Sequence, residues 1–307
     1  MDKYKAGVHK EFSSLLRFPA IDFNKVWLIK CLRILAWLTW FFSRPSPGMT
    51  TKKILLRNDQ VSVPVEYFTN THVHGSRPCV IYYHGGGFTL PAFQNHKKIV
   101  CEYALGAGCD ILFVNYSLSP ENKSDTILAE CFYAIEWLLE NASQHQVDTQ
   151  NIALAGDSAG GCLTASMCQM VADKMTHFKP CLQMLIYPVL DSSLESPSKK
   201  EHWQSPVWSG EATEQMWQAY NSNKAPYAVP MHKDDLASQP KTYIDNAEFD
   251  PLRDDASRYA EKLKAQGIEV EFHATKGTLH GYDSVMQSDI TQEIIQKRIK
   301  ALLNSFT

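Results

Sequence analysis

A serine set in Gly156-Asp157-Ser158-Ala159-Gly160 is the residue of this chain best placed to do chemistry. An apolar run over 151–155 precedes it, and a helical pattern from Gly161 to Met175 follows. Strand, tight turn and helix in that order put the hydroxyl on a strained elbow, exposed above a sheet. Small neighbours are needed where strand and helix converge. Serine is a weak nucleophile at neutral pH. It requires a base, and the base requires an orienting acid. The G-x-S-x-G pattern is common, so its meaning depends on those partners.

Among eleven histidines, His280 is the candidate base. It stands in Gly277-Thr278-Leu279-His280-Gly281-Tyr282, a loop after a strand pattern and before the last helix. Flanking glycines present a side chain rather than bury it. His273 alternates within the strand and is expected to pack or face solvent. The competing reading of His280 is a surface loop histidine. For the acid, Asp245, Glu248, Asp250 and Asp254 crowd one stretch. Asp250 fits a loop just past a strand, because Pro251 holds the residue before it extended and breaks the strand. Glu248 is the alternative, and Asp254 is expected to cap the following helix. The order Ser158, Asp250, His280 is that of an α/β-hydrolase triad.

His84-Gly85-Gly86-Gly87 supplies what remains. Acyl transfer develops negative charge on a carbonyl oxygen, and backbone amides stabilise it where glycines allow close approach. Ala159, just after the serine at a helix N-terminus, offers another amide. A phosphate loop is the competing reading. It is disfavoured because the P-loop lysine and the G-x-G-x-x-G spacing are both missing.

The elements that must position these groups follow from periodicity. Residues 1–48 read as helical up to the breaker Ser43-Arg44-Pro45-Ser46-Pro47-Gly48. Strand patterns at 53–57 and 61–68 alternate like an antiparallel edge. Buried strands at 79–83, 110–116, 152–155, 181–190, 242–244 and 269–274 alternate with helices at 95–105, 126–139, 161–175, 255–266 and from about 282 to 303. That pattern predicts an α/β fold: a mostly parallel central sheet flanked by helices, with its site outside the carboxyl ends of the strands. Both glycine motifs fall at those ends. Residues 192–238, with Trp203, Trp208 and Trp217 and with Pro206, Pro226 and Pro230, interrupt the alternation. They are expected to form a cap insertion, with a short helix near 212–220. The expected organisation is cap helices over 1–48, a catalytic domain over 49–191 and 239–307, and the insertion between its halves.

The 307 residues suffice for one large α/β domain, and the formal charge of −3 leaves no basic footprint for nucleic acid. The eight cysteines form no C-x-x-C pair and sit mostly in apolar runs. The first residues lack the apolar core of a secretory signal. Reduced thiols and a cytoplasmic location are therefore expected. Residues 26–42 are largely apolar, but Lys30 and Arg33 interrupt them and they fall short of the ~20 residues a span needs. A buried or interfacial amphipathic helix is expected rather than a membrane span.

Taken together, His84-Gly85-Gly86-Gly87-Phe88, Gly156-Asp157-Ser158-Ala159-Gly160-Gly161, Glu248-Phe249-Asp250-Pro251-Leu252-Arg253-Asp254 and Leu279-His280-Gly281-Tyr282 resemble the hormone-sensitive-lipase-like serine esterases, whose bacterial acetyl-esterase branch is similar in length. The resemblance runs from about Lys53 to the C-terminus. It implies an α/β-hydrolase fold and hydrolysis of short-chain acyl esters through an acyl-enzyme, with no metal or cofactor. Carried over, Ser158 is the nucleophile, Asp250 the acid and His280 the base. Gly86, Gly87 and Ala159 form the oxyanion hole. His84 and Gly85 shape that loop, and Asp157 supports the elbow. Phe88, Trp203, Trp208 and Trp217 are expected around an acyl pocket, with Trp37 and Trp40 from the N-terminal helix; plain cap-core packing is the competing reading of each tryptophan. Relatives often carry Tyr-Arg-Leu-Ala-Pro-Glu where this chain reads Tyr116-Ser117-Leu118-Ser119-Pro120-Glu121, so any ion pair of that arginine must be missing or replaced. The partner implied is a small-molecule ester, with the chain a monomer or homodimer. Two further readings share the fold: an amidase or peptidase using the same triad, and a ligand-binding protein without catalysis.

Overall fold

Eight strands make one sheet in a computed structural model that describes residues 2–221 and 224–306. They are β1 (Met49–Arg57), β2 (Ser62–Asn70), β3 (Arg77–Tyr83), β4 (Asp110–Val114), β5 (Val147–Asp157), β6 (Leu182–Ile186), β7 (Thr242–Phe249) and β8 (Val270–Leu279). Their order across the sheet is β1-β2-β4-β3-β5-β6-β7-β8. The first two strands run antiparallel at one edge and β3 to β8 are parallel. The helices are α1 (Asp2–Gly7), α2 (Val26–Phe42), α3 (Gln94–Ala107), α4 (Ser124–Glu140), α5 (Ala142–His145), α6 (Ala159–Lys174), α7 (Pro197–Glu201), α8 (Gly210–Tyr220), α9 (Arg253–Ala265) and α10 (Asp289–Leu303).

Strand alternation sorts side chains between two cores even where both faces are buried. Cys79, Ile81 and Tyr83 of β3 join the core under α4 and α6. Val80 and Tyr82, one step out of phase, join the core under α3 and α10. A smaller cluster seats α9 on Leu185 and Ile244.

The N-terminal region is broken into α1, two single 3₁₀ turns and α2 rather than being helical throughout. It is tied to the 192–238 segment at several points. The Phe23 amide donates to Gln215 Oε1 at 2.8 Å, the Val207 amide to Phe18 O at 3.1 Å, and Tyr4 Oη meets His202 Nδ1 at 3.1 Å. The C-terminal helix starts at Asp289, because Gly281, in left-handed conformation, opens only a 3₁₀ turn over Tyr282–Ser284. Asp254 lies in the first turn of α9 without capping it. Its carboxylate instead accepts the Ser198 amide at 2.7 Å, at the start of α7.

Candidate active site

Ser158 follows the last residue of β5 and precedes the first of α6. Its φ of 54° and ψ of −115° lie where side chains other than glycine rarely sit. The surrounding backbone over-determines that conformation. The Ser158 amide donates to Ile186 O at 2.8 Å, while its carbonyl accepts from Val189 at 3.0 Å and from Cys162 at 3.2 Å. Gly160 is required by close approach, since a Cβ there would collide with the carbonyl of Tyr83.

The three residues separated by 122 and 30 positions meet. Ser158 Oγ lies 2.8 Å from His280 Nε2, and His280 Nδ1 lies 2.6 Å from Asp250 Oδ2. The other Asp250 oxygen accepts the Leu252 amide at 2.9 Å, which fixes the carboxylate plane in a fully buried position. Glu248 is not brought in. It is exposed, and its carboxylate accepts the Gly277 amide at 2.7 Å. His273 pairs with Glu271 on β8 and takes no part. An ionised Asp250 accepting at Nδ1 leaves Nε2 free to take a proton from the Ser158 hydroxyl.

The His84–Gly87 loop stands beside this line. Gly86 has φ of 114°, a conformation reserved for glycine, and its carbonyl accepts the amides of Thr89 and Leu90. Among the described residues no group accepts a hydrogen bond from the amides of Gly86, Gly87 or Ala159. His84 is a structural member of the loop. Burial lowers its pKa to about 4, its ring stacks on Tyr116 at 4.4 Å, and Nδ1 meets Gly85 O at 2.7 Å.

Asp157 ties loop to elbow. Oδ1 accepts from the Gly85 amide at 3.0 Å and from Tyr82 Oη at 2.8 Å, and Oδ2 faces His96 Nε2 at 3.3 Å. Since His96 Nδ1 accepts the Phe93 amide, its proton sits on Nε2 and points at Asp157. Burial pushes the Asp157 carboxyl up; the His96 ring, then Tyr82 and His84, outweigh it and hold it at about 2. A carboxyl below its unfolded value stabilises the fold above that value, and the contribution is lost as pH falls through the folded pKa. The stability difference between wild type and Asp157→Asn is therefore expected to be largest near neutrality and to shrink by about 2 kcal/mol between about pH 4 and pH 2. Urea titrations at several pH values measure it, and a difference flat across that window contradicts the assignment.

The predicted pocket residues divide. The Trp208 ring lies 5.5 Å from His280 and, with Phe23, bounds Gly87. Phe88 stacks on Tyr220 at 3.6 Å and meets Trp217 at 6.2 Å, all three buried. Trp203 packs on Gly210, and no ring pairing joins it to the triad among the described residues. Trp37 and Trp40 wall no pocket with Trp208. Trp37 is exposed and stacks on Phe41, while Trp40 packs on Phe113 in the α3 core. Three residues apart, the two lie about 60° from each other around the helix, Trp40 on its buried side and Trp37 on its open side.

Glu121 takes its partner from the N-terminal region. Arg33 of α2 binds both its oxygens at 2.8 and 2.9 Å and also donates to the carbonyls of Thr89 and Ser119. Ser117, at the arginine's position, binds Glu130 instead. Sequence reading also missed Tyr187, whose ring edge meets His280 at 4.9 Å, and His96. No motif spacing marks either one. Tyr187 becomes visible only as the residue that follows β6, beside the elbow.

With this geometry in place, the comparisons with known proteins agree. The model of a family described as having the alpha/beta hydrolase fold matches residues 80–284. Carboxylesterase NlhH of Mycobacterium tuberculosis is 33% identical over 228 residues, covering 72% of this chain and 71% of that protein. Acetyl esterase of Salmonella schwarzengrund is 27% identical over 254 residues, covering 79% and 76%. The solved structure of a bacterial heroin esterase superposes with a TM-score of 0.91 at 25% identity, covering 98% of each chain. The chain belongs to the α/β-hydrolase fold family, in its hormone-sensitive-lipase-like esterase branch.

Proposed function

We propose that this protein is a serine carboxylesterase acting on short-chain acyl esters. The hydrogen-bonded line from Asp250 through His280 to Ser158, at 2.6 and 2.8 Å, carries the reading. Ser158 Oγ attacks the ester carbonyl as His280 Nε2 takes its proton, and a tetrahedral oxyanion forms. The amides of Gly86, Gly87 and Ala159 donate to that oxygen. The C–O bond to the alcohol then breaks, His280 returns the proton to the leaving oxygen, and the acyl group stays on Ser158. Water repeats the attack with His280 as base, releasing the acid and restoring the serine. Asp250 holds the Nδ1–H tautomer and stabilises the imidazolium.

Residues 1–48 and 192–238 act in this reading as a cap over the catalytic domain of 49–191 and 239–307. Trp208 and Phe23, one from each cap segment, close over Gly87. Ser158 is 4% exposed and His280 6%, so the approach to them is narrow, which suits a small acyl group better than a long one. Eight cysteines, all free thiols, suit a cytoplasmic location. The test is a p-nitrophenyl ester series from acetate to palmitate. The expected result is a kcat/KM at least about tenfold higher for acetate or butyrate than for palmitate, since each mismatched methylene shifts transition-state binding by about 1 kcal/mol or more. A rate rising with chain length overturns the short-chain assignment.

A further inference from the structure

We propose that α2 and the neighbouring edge strand β1 form a docking face for an anionic phospholipid surface, on which α2 lies in the interfacial plane. Helix α2 is held to the fold by one stripe only. Ile29, Ala36 and Trp40 are buried, Trp40 Nε1 donates to Glu66 at 3.0 Å, and Arg33 clamps Glu121. The opposite stripe is apolar yet faces water: Trp27 is 68% exposed, Trp37 59% and Phe42 75%, with Ile34, Leu35 and Phe41 between them. Soluble proteins seldom leave such a contiguous apolar surface uncovered. At 17 residues the helix is too short to cross a bilayer, and among the described residues no helix is long and apolar enough to do so.

Charge identifies the occupant. From Asn24 to Asn58 the chain has seven basic residues and no Asp or Glu, although its formal net charge is −3. Lys25, Lys30, Arg44, Lys52 and Lys53 are exposed around the apolar stripe. Lys53 Nζ lies 5.8 Å from the Phe41 ring, so helix and edge strand present one continuous face. A symmetric contact with a second copy would set these cations against their own images. An anionic bilayer instead satisfies both features: exposed tryptophans suit the headgroup boundary, and lysines around an apolar stripe suit anionic lipid.

The test is sedimentation of the full chain with sucrose-loaded vesicles of phosphatidylcholine alone and of phosphatidylcholine with 30% phosphatidylglycerol, a composition of roughly physiological anionic charge. The expected result is binding to the anionic vesicles at low salt, weakened at least about tenfold without phosphatidylglycerol. Lys52→Glu/Lys53→Glu and, separately, Trp37→Glu/Phe42→Glu are each expected to weaken binding at least about tenfold, with hydrolysis of soluble p-nitrophenyl acetate unchanged. That unchanged rate shows that the variants are folded. No sedimentation with anionic vesicles at low salt overturns the proposal. So does sedimentation velocity showing a dimer that Trp37→Glu/Phe42→Glu dissociates while vesicle binding is untouched.

Discussion

Replacing Ser158 by alanine is expected to lower kcat/KM for p-nitrophenyl acetate by about 10⁴-fold or more, leaving the fold intact. In the proposed mechanism Oγ carries the acyl group, so alanine offers no substitute for it. What survives is hydrolysis by water at a site that still holds oxyanion donors, a residual about 10³–10⁴ above the uncatalysed rate in triad enzymes. The backbone of the elbow is held by main-chain groups, the Ser158 amide to Ile186 and its carbonyl from Val189, so alanine inherits the same strained φ. The melting temperature is accordingly expected to stay within about 2 °C of wild type. The Asp250→Asn variant makes a sharper companion test. It keeps the shape but turns the imidazole to the wrong tautomer, for an expected loss of about 10⁴-fold in kcat. Turnover by Ser158→Ala above a few per cent of wild type, with the protein folded, sinks the nucleophile assignment. Full retention in Asp250→Asn sinks the acid.

What the sequence made legible is what local physics encodes. The sheet and its helices were readable because buried parallel strands and amphipathic helices leave different periods. The elbow was readable because a strained turn admits only small neighbours, as Gly160 against Tyr83 O illustrates. Asp250, the carboxylate that meets His280, was separable from Glu248 by the proline after it, just past the end of β7 at Phe249. The long-range partners were not readable. His96 reaches Asp157 across 61 residues and Arg33 reaches Glu121 across 88, and no spacing rule predicts which loop packs on which. The tryptophans divide for a related reason. Composition marks an aromatic segment, whereas the direction of each ring depends on packing, so Trp208 met His280 and Trp37 met water.

Arg298 carries the second large effect, on stability. It is fully buried in α10 and uses all five guanidinium protons. Two go to Asp245 at 2.7 and 3.1 Å, two to Tyr103 and Asp283 at 3.0 and 2.8 Å, and one to Tyr282 at 3.2 Å. Substitution to leucine leaves two buried carboxylates facing each other's field with no cation. Breaking a buried pair from one side costs about 3–5 kcal/mol, which for a chain of this length is a fall of roughly 5–8 °C in melting temperature. The loss also reaches the catalytic line. The other Asp283 oxygen accepts Tyr187 Oη at 2.6 Å, and the tyrosine ring lies against the His280 ring in a T-shaped contact at 4.9 Å. A residue so placed is a positioning residue. Its removal is expected to lower kcat by up to about 10²-fold while KM changes little, because misplacement of the base by an ångström is felt in the transition state. Arg298→Leu combined with Asp245→Asn and Asp283→Asn removes the uncompensated charge and is expected to recover a large part of the stability, since neutral replacement of a buried ionic cluster is often tolerated. Tyr187→Phe, which keeps the ring against His280 and loses only the hydroxyl, separates the two roles. A normal kcat in Tyr187→Phe together with a low kcat in Arg298→Leu places the effect on the general stability of the fold. A reduced kcat in both places it on the Asp283–Tyr187–His280 path.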